Sequence, residues 1–488
     1  MHISKPDIFI IVTDSARAFH SNSGDDREKP KFYDSLKDFV QCPRAYCSAP
    51  SSVMSGASII SSLDAYMISR NYDNFRFNNT FKINNIENIK DIGYDCKGFF
   101  VARELREKLG KLVGIDYENM PNELKFSDRM WSNEDLNHYY QNYLEKNKNN
   151  KQPLFNIIWN NIRHDYNISK NLDNLKLILK KYNKWENSII FFLSDHGYPT
   201  KDKGITPEGL KRDNKTHDLW LTEDNIRIPF YFKSPFDSNY QINENVSATD
   251  IFPTINNILG TDFLSSYGSG LSLSSINKKR KSQLTNRSIR VDSRFIGQDQ
   301  RKTAIIKQYN KLVFNHDLNH HEFYELSDDF NYENLISSPN KLKDEILDIY
   351  NNKEKMALDF QYDSQLNKFD LKNKKILYGE VDQYLLSYLK EKGVYKTSQL
   401  KHFSDLFKIF NSNFMFINIK FSHNFILKLI LSITKKNIYV NLVSNQEVLK
   451  WNINRVYLAF KTSLPFLMKE PTYLFVRINE ILKIFKKK

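Results

Sequence analysis

The chain contains very few cysteines, and this excludes two classes of protein. Only Cys42, Cys47 and Cys96 occur among 488 residues, too few for a disulfide framework. Their spacing also matches no zinc-binding pattern. Hydrophobic residues make up 40% of the sequence and aromatic residues 14%, which indicates a folded chain instead of a disordered one. Its length gives room for two to three domains.

Long apolar runs are missing as well. The nearest, residues 425–431, is short and contains Lys428, so it does not predict a transmembrane helix. Residues 1–7 lack the basic and apolar regions of a signal peptide and lead directly into a strand-like run. These two absences together predict a cytoplasmic protein.

Acidic residues are outnumbered by basic ones, and the formal net charge is +14. Such a charge is compatible with nucleic acid, an anionic membrane surface or an anionic substrate. The lysines are spread along the chain and no zinc-finger, RNP or basic-zipper pattern occurs, so we predict no nucleic-acid partner. The basic cluster at residues 483–488 leaves peripheral membrane contact through the C-terminus open.

Residues 47–56 concentrate hydroxyl groups around a single proline. The stretch reads Cys-Ser-Ala-Pro-Ser-Ser-Val-Met-Ser-Gly, a composition that predicts a tight turn opening a helix. At a helix N-terminus, backbone N–H groups and the helix dipole favour negative charge. Ser48 is therefore a candidate nucleophile toward an anionic ester. The alternative is a serine-rich helix cap without chemistry.

Apolar runs alternate with helical patterns along the first half of the chain. Residues 6–13, 154–159 and 188–193 predict strands that are buried on both faces of a parallel sheet. Helical patterns at 86–92 and from about 169 to 185 lie between them. This alternation is typical of a doubly wound α/β fold.

Each of these three strands is followed by residues of metal-binding or acid–base type. Asp14 follows the first strand, His164 the second, and Asp195-His196 the third, with Gly197 letting the backbone turn away. Open α/β sheets bind ligands at this carboxyl edge. A hydroxyl, two carboxylates and several histidines are the groups that metal-assisted ester cleavage needs. A helix cap at Asp14 and a surface position for His164 are the alternatives.

The order of these motifs resembles that of the sulfatase family, within the alkaline phosphatase superfamily. The resemblance covers roughly residues 5–336. Any one of the motifs is weak evidence, but six in the same order are strong evidence. The motifs lie at residues 6–17, 48–51, 194–197, 217 with 226–229, 247–254, and 323–329 with 333–335.

The resemblance implies an α/β fold in which a mostly parallel sheet lies between helices. It implies a sulfatase-like catalytic domain over residues 1–340. Residues 341–488 do not resemble the family core, and they are predicted to form an accessory α/β or helical module of unknown role. Within that module, residues 414–419, 424–433 and 437–442 indicate a strand, a helix and a strand.

The resemblance also implies one or two divalent cations, with Ser48 bridging metal and substrate. Carboxylate and imidazole ligands admit magnesium, calcium, manganese or zinc. The histidines that do not bind metal would contact the anionic oxygens of the ester or its leaving group. The implied residues are Ser48, His164 and His217 for catalysis, Asp14, Asp195, His196 and Ser48 for metal, and Arg17 and Lys215 for substrate binding.

The nucleophile turn departs from the main sulfatase pattern Cys-x-Pro-x-Arg, whose cysteine is oxidised to formylglycine. Ser48 stands at the cysteine position, Ser52 stands at the arginine position, and Cys47 is one residue out of register. Ser15 stands where sulfatases often have a second aspartate. The turn resembles more closely the hydroxyl-nucleophile branch, which includes phosphodiesterases and phosphoglycerol or phosphoethanolamine transferases.

The chemistry of a serine nucleophile favours phosphate over sulfate. A serine sulfate has no easy exit, because its C–O–S linkage is as stable as that of the substrate. A serine phosphoester can be attacked in line a second time by water or an alcohol. We therefore predict a metal-dependent hydrolase or phosphotransferase acting on phosphate or sulfate esters of a sugar, a polysaccharide or its precursor. A formylglycine-type sulfatase and a catalytically silent scaffold are the alternatives.

Overall fold

In the computed structural model the chain divides into two compact units, Met1–Gln361 and Tyr362–Lys488. The residues that the structure describes are 5–18, 35–68, 84–102, 105–110, 113–117, 132–161, 165–198, 220–262, 268–275, 278–293, 301–316, 320–326, 333–335, 341–366, 375–378, 383–392, 397–399, 414–417 and 438–440.

A seven-stranded sheet forms the centre of the first unit. Its strands are β1 (Ile8–Asp14), β2 (Val40–Gln41), β4 (Asp95–Phe100), β5 (Asp116–Tyr117), β6 (Leu154–Asn161), β7 (Ile189–Ser194) and β9 (Phe230–Lys233). They lie in the order β2-β9-β7-β1-β6-β4-β5. The five strands from β7 to β5 are parallel to one another, whereas β9 is antiparallel to β7 and β2 is antiparallel to β9. The predicted mostly parallel sheet is confirmed.

Helices cover both faces of this sheet. They are α1 (Ser52–Ser61), α2 (Ala65–Ile68), α3 (Asn85–Asp91), α4 (Asn133–Lys146), α5 (Asp165–Lys181), α6 (Glu223–Ile226), α7 (Ile251–Leu259) and α8 (Lys278–Asn286). A further helix, α9 (Lys341–Leu366), packs on a different sheet. A capping box of Ser132 and Asp135 opens α4, and α7 ends at Gly260, whose φ of 66° is the left-handed conformation that glycine favours. No helix among the described residues is long and apolar enough to cross a membrane.

Alternate residues of β1 enter two separate hydrophobic cores. Ile8, Ile10 and Val12 pack in a cluster shared with α1 and α7. Phe9 and Ile11 pack in a second cluster shared with α4 and α5. Burial of each such side chain contributes about 1.5–3 kcal/mol. A continuous apolar run is therefore needed here, because both faces of the strand are covered.

The first unit also contains a five-stranded antiparallel sheet that the sequence patterns do not predict. Its strands follow one another in chain order from β11 to β15. The helix α9 packs on this sheet through Ile346 and Tyr350, which join Ile305, Leu312 and Phe323 in one cluster. The strands are β11 (Ser288–Ser293), β12 (Lys302–Lys307), β13 (Asn310–Asn315), β14 (His320–Leu326) and β15 (Glu333–Leu335).

The strand that immediately precedes residue 48 belongs to a three-stranded sheet. It consists of β3 (Ala45–Tyr46), β8 (Arg227–Ile228) and β10 (Val246–Ser247), with β3 in the middle. Pro229 separates β8 from β9, and these two strands belong to different sheets.

The second unit contains a four-stranded parallel sheet. Its strands are β16 (Lys375–Tyr378), β17 (Thr397–Gln399), β18 (Phe414–Ile417) and β19 (Ile438–Val440), in the order β17-β16-β18-β19, and helix α10 covers Gln383–Glu391. The two predicted strands correspond to β18 and β19. The predicted helix at 424–433 and the basic tail lie outside the described residues.

Candidate active site

Three ligand-type side chains meet at the carboxyl edge of the seven-stranded sheet. Asp14 ends β1, and Asp195 and His196 directly follow β7, the parallel neighbour of β1. One ligand atom from each of the three lies within 4.8 Å of the others. The His196 Nε2 atom is 3.9 Å from Asp14 Oδ1 and 3.5 Å from Asp195 Oδ2. Parallel neighbours bring these residues together because their carboxyl ends lie at the same edge.

The orientation of the His196 ring follows from a contact on its far side. Its Nδ1 atom lies 2.7 Å from the carbonyl oxygen of Gly197. A carbonyl can only accept a hydrogen bond, so Nδ1 carries the proton of the neutral ring. The lone pair therefore lies on Nε2, the atom that faces the two carboxylates. This is the arrangement of a histidine prepared to bind a metal.

Gly197 is required by a close approach of two backbone segments. Its N–H donates to the carbonyl of Asn225 at 2.7 Å. A Cβ atom at this position would lie 2.2 Å from the backbone oxygen of Asp224. Any other residue would therefore displace the loop that carries Asp195 and His196.

Ser15 connects the two carboxylates, a role that the sequence reasoning missed. Its backbone N–H donates to Asp195 Oδ1 at 2.9 Å, and its hydroxyl donates to Asp14 Oδ1 at 2.8 Å. Its φ of 61° is in the left-handed region, which is uncommon for residues other than glycine and occurs often at functional sites. Ser15 thus fixes the spacing of both carboxylates.

The electrostatics of this cluster favour a cation. Burial raises the pKa of Asp195, and the neighbouring Asp14 carboxylate raises it further, while His196 acts in the opposite direction. The Oδ2 atom of Asp195 is buried and has no hydrogen-bond partner among the described residues. A divalent cation would satisfy this oxygen and would also accept the Nε2 atom of His196 as a ligand. The residues present therefore fit the metal that the family implies.

Ser48 lies on a turn between β3 and α1 and is completely buried. Its Oγ atom makes no hydrogen bond to any residue that the structure describes. The helix after the turn is attached to the ligand loop, because Ser55 Oγ donates to the Asp195 carbonyl at 2.6 Å. Ser52 Oγ lies 3.3 Å from His196 Nε2. Ser52, at the arginine position of the sulfatase pattern, thus contacts a candidate metal ligand, which the sequence reasoning also missed.

Cys47, the other candidate for oxidation, is a poor nucleophile in the folded chain. Burial raises the pKa of its thiol well above the usual range, and the Asp195 carboxylate adds to the effect. Its backbone N–H donates to the carbonyl of Ile226 at 2.9 Å. Since the thiolate is the reactive form of cysteine, this environment makes the side chain inert.

The folded protein should therefore resist alkylation of all its cysteines at pH 8. Burial also raises the pKa of Cys42 and raises that of Cys96 to about 12. Iodoacetamide followed by intact-mass measurement should find no adduct on the folded chain and three after denaturation. Rapid labelling of Cys47 in the folded state would contradict this prediction.

The remaining predicted residues are placed only in part. Arg17 is half-buried, and its guanidinium lies 5.6 Å from the centre of the Tyr198 ring, next to the ligand loop. His164, Lys215 and His217 lie outside the described residues. The structure therefore brings together Asp14, Asp195 and His196. The predicted proton donors, His164 and His217, are outside the part of the chain that it describes.

The sulfatase family model matches residues 6–261, more than half of the chain, so this protein belongs to the sulfatase family. Among curated proteins none matches it.

Several solved structures share the fold. A protein solved with its substrate D-glucosamine-2-N,6-O-disulfate is 13% identical, with a TM-score of 0.56, and the alignment covers 72% of this chain and 98% of that chain. A 2-O GAG sulfatase is 14% identical, with a TM-score of 0.56 and coverage of 74% and 93%. The phosphonate monoester hydrolase of Agrobacterium radiobacter is 14% identical, with a TM-score of 0.51 and coverage of 73% and 96%. Similarity at these identities concerns the fold.

Proposed function

We propose that this sulfatase-family protein is a metal-dependent hydrolase or transferase in which Ser48 attacks a phosphate ester in preference to a sulfate ester. The observation that carries the proposal is the buried Ser48 hydroxyl, which lacks a partner among the described residues. Leaving such a group unsatisfied costs about 1–3 kcal/mol. Ser52 and Ser55 of the following helix contact His196 and Asp195, so this turn is attached to the metal-type ligands. The cost is understandable if the hydroxyl acts on a substrate there.

Asp14, Asp195 and His196 would bind a divalent cation in this proposal, with Ser48 as a further ligand. The bound cation supplies a lowered pKa for the serine hydroxyl and neutralises the oxygens of the ester. Calcium prefers six to eight oxygen ligands, whereas an imidazole nitrogen suits zinc, iron and other transition metals. The nitrogen of His196 therefore favours a transition metal.

The proposed reaction has two in-line displacements. Ser48 Oγ loses its proton to solvent and attacks phosphorus, the P–O bond to the alcohol breaks, and His164 or His217 donates a proton to the departing oxygen. Water or an acceptor alcohol then gives its proton to the same histidine and attacks the phosphoserine. The P–O bond to Ser48 breaks, and Ser48 Oγ regains a proton from solvent. Arg17 and Lys215 would bind the anionic oxygens of the ester.

The proposed substrate is an anionic ester on a sugar, a glycan or its precursor in the cytoplasm. Two of the similar structures are named for sulfated sugars and one for phosphonate monoesters. The excess of basic residues is compatible with an anionic substrate. Membrane contact through the basic tail has no further support.

Turnover of an aryl phosphodiester, an aryl phosphomonoester and an aryl sulfate tests this proposal. We expect phosphoester cleavage that chelation abolishes and that manganese or zinc restores better than calcium does. Sulfate cleavage, with an intact mass showing oxidation of residue 47 or 48 to an aldehyde, would replace it with the formylglycine mechanism. Stoichiometric metal binding without turnover of any of the three esters would favour the silent scaffold.

A further inference from the structure

The antiparallel sheet contacts the nucleophile turn through one residue of β11. The backbone N–H of Asp292 donates to the carbonyl oxygen of Ser48 at 2.9 Å. Asp292 is completely buried. Because the Ser48 hydroxyl has no partner among the described residues, this backbone contact contributes to fixing where the hydroxyl lies.

The carboxylate of Asp292 is itself held by an arginine on the same strand. Arg290 Nε lies 2.9 Å from Oδ2, and its Nη2 lies 2.9 Å from Oδ1. The arginine is 1% exposed, and its guanidinium lies 4.5 Å from the centre of the Tyr66 ring. A buried bidentate pair has a single favourable geometry. The side chains of Arg290 and Asp292 are therefore fixed relative to each other, and the Asp292 N–H joins this pair to the turn.

Thr303, directly opposite Asp292 on β12, extends this arrangement across the sheet. Its hydroxyl donates to Asp292 Oδ1 at 2.7 Å and lies 2.9 Å from His316 Nε2. The single hydroxyl hydrogen is directed to the carboxylate, so Thr303 accepts from His316 Nε2–H. The other ring nitrogen, Nδ1, lies 3.4 Å from the hydroxyl of Tyr350 on α9. A directed series of hydrogen bonds thus runs from α9 to the Asp292 carboxylate, and the backbone N–H of the same residue contacts the turn.

We infer that Asp292, together with Arg290, Thr303 and His316, positions the Ser48 turn for catalysis. The inference rests on the proposed function of Ser48. A misplacement of a reacting group by about 1 Å costs about 10²-fold in rate. A network that fixes the turn from outside the parallel sheet acts on Ser48 through Asp292, without any contact to the substrate.

The alternative is that this network only stabilises the antiparallel sheet. In that case its loss would lower stability without a specific effect on the turn. If the network positions the turn, its loss increases the mobility of the backbone around Ser48. If it only stabilises the sheet, that mobility does not change specifically.

Substitution of Thr303 separates these roles. Thr303→Val keeps the shape and removes the hydroxyl, whereas Thr303→Ser keeps the hydroxyl. Thr254→Val is a matched control, because Thr254 is also buried and its hydroxyl binds the Asp250 carbonyl and the Leu273 N–H, neither of which belongs to β11 or β12.

Hydrogen exchange of the peptide covering residues 46–52 is the first measurement. In the protein loaded with zinc we expect this peptide to exchange about 10-fold faster in Thr303→Val than in the wild type. In Thr303→Ser and Thr254→Val its exchange rate should equal that of the wild type. We also expect kcat to fall about 10-fold in Thr303→Val with KM and metal affinity unchanged. The conservative serine variant should retain kcat within about twofold.

Unchanged exchange of this peptide in Thr303→Val would overturn the inference, and so would equal acceleration in Thr254→Val. A wild type without turnover of the three aryl esters would instead reject the proposed function. Faster exchange in Thr303→Val, but not in Thr254→Val, would then still support the inference that the network positions the turn.

Discussion

Replacing Ser48 with alanine should lower kcat/KM for a phosphoester by about 10³-fold or more. The variant loses the proposed attacking oxygen, whereas the proposed metal ligands Asp14, Asp195 and His196 remain. Its thermal stability should equal or exceed that of the wild type, because the hydroxyl is buried and has no partner among the described residues. Loss of activity without loss of stability is the specific signature of a residue kept for chemistry.

Ser58→Ala is the matched control for this prediction. Ser58 is a completely buried serine of α1, and its hydroxyl also lacks a partner among the described residues. It should keep full activity. Steady-state kinetics, metal titration by calorimetry and thermal melts of both variants make the comparison. Full activity in Ser48→Ala would exclude the serine mechanism.

Replacing Lys311 with methionine should lower the free energy of unfolding by about 3–5 kcal/mol. Lys311 is completely buried in β13, and its Nζ atom lies 3.2 Å from Glu223 Oε1 and 3.0 Å from the Leu221 carbonyl. Methionine fills a similar volume but leaves the Glu223 carboxylate, 3% exposed, without its closest cation. A charge buried in this way costs more than the lost contact itself.

The double variant Lys311→Met/Glu223→Gln should recover much of the lost free energy of unfolding. It removes the negative charge of Glu223, which Lys311 no longer compensates. Urea denaturation of the two single variants and the double variant gives the coupling between the residues. Lys148→Met, at an exposed ion pair with Glu145, should leave the denaturation midpoint unchanged. Strictly additive losses in the cycle would show that Lys311 and Glu223 are not coupled.

The metal-type cluster could be predicted from the sequence because two simple patterns coincide there. The runs that became β1 and β7 are apolar without alternation, as burial on both faces requires. Asp14 and Asp195 come at the ends of these runs, so parallel pairing alone brings them together. The family resemblance adds residue roles, and the roles of Ser48, His164 and His217 stay predictions.

The antiparallel sheet could not be predicted because its buried residues include charges. Arg290, Asp292 and Lys311 are each at most 1% exposed, although isolated sequence patterns place such residues on a surface. Each is compensated by a partner whose proximity depends on the tertiary fold. The contacts of Ser15 with Asp195 and of Ser52 with His196 could not be predicted for the same reason. In each pair the two residues are about 140 to 180 positions apart in the sequence.

The seven-stranded sheet has outer strands, β2 and β5, of only two residues each. An exposed strand edge is a template on which another chain can add, and long flat edges promote aggregation. The strongly apolar strands β1, β6 and β7 lie inside the sheet, with paired neighbours on both sides. Short outer strands thus protect this apolar sheet from edge-to-edge association. The outer side of β2 is also occupied, because the Gln41 N–H donates to the Tyr240 carbonyl and the Ile242 N–H donates to the Gln41 carbonyl. Substitutions that extend β5 would be expected to reduce solubility before they reduce stability.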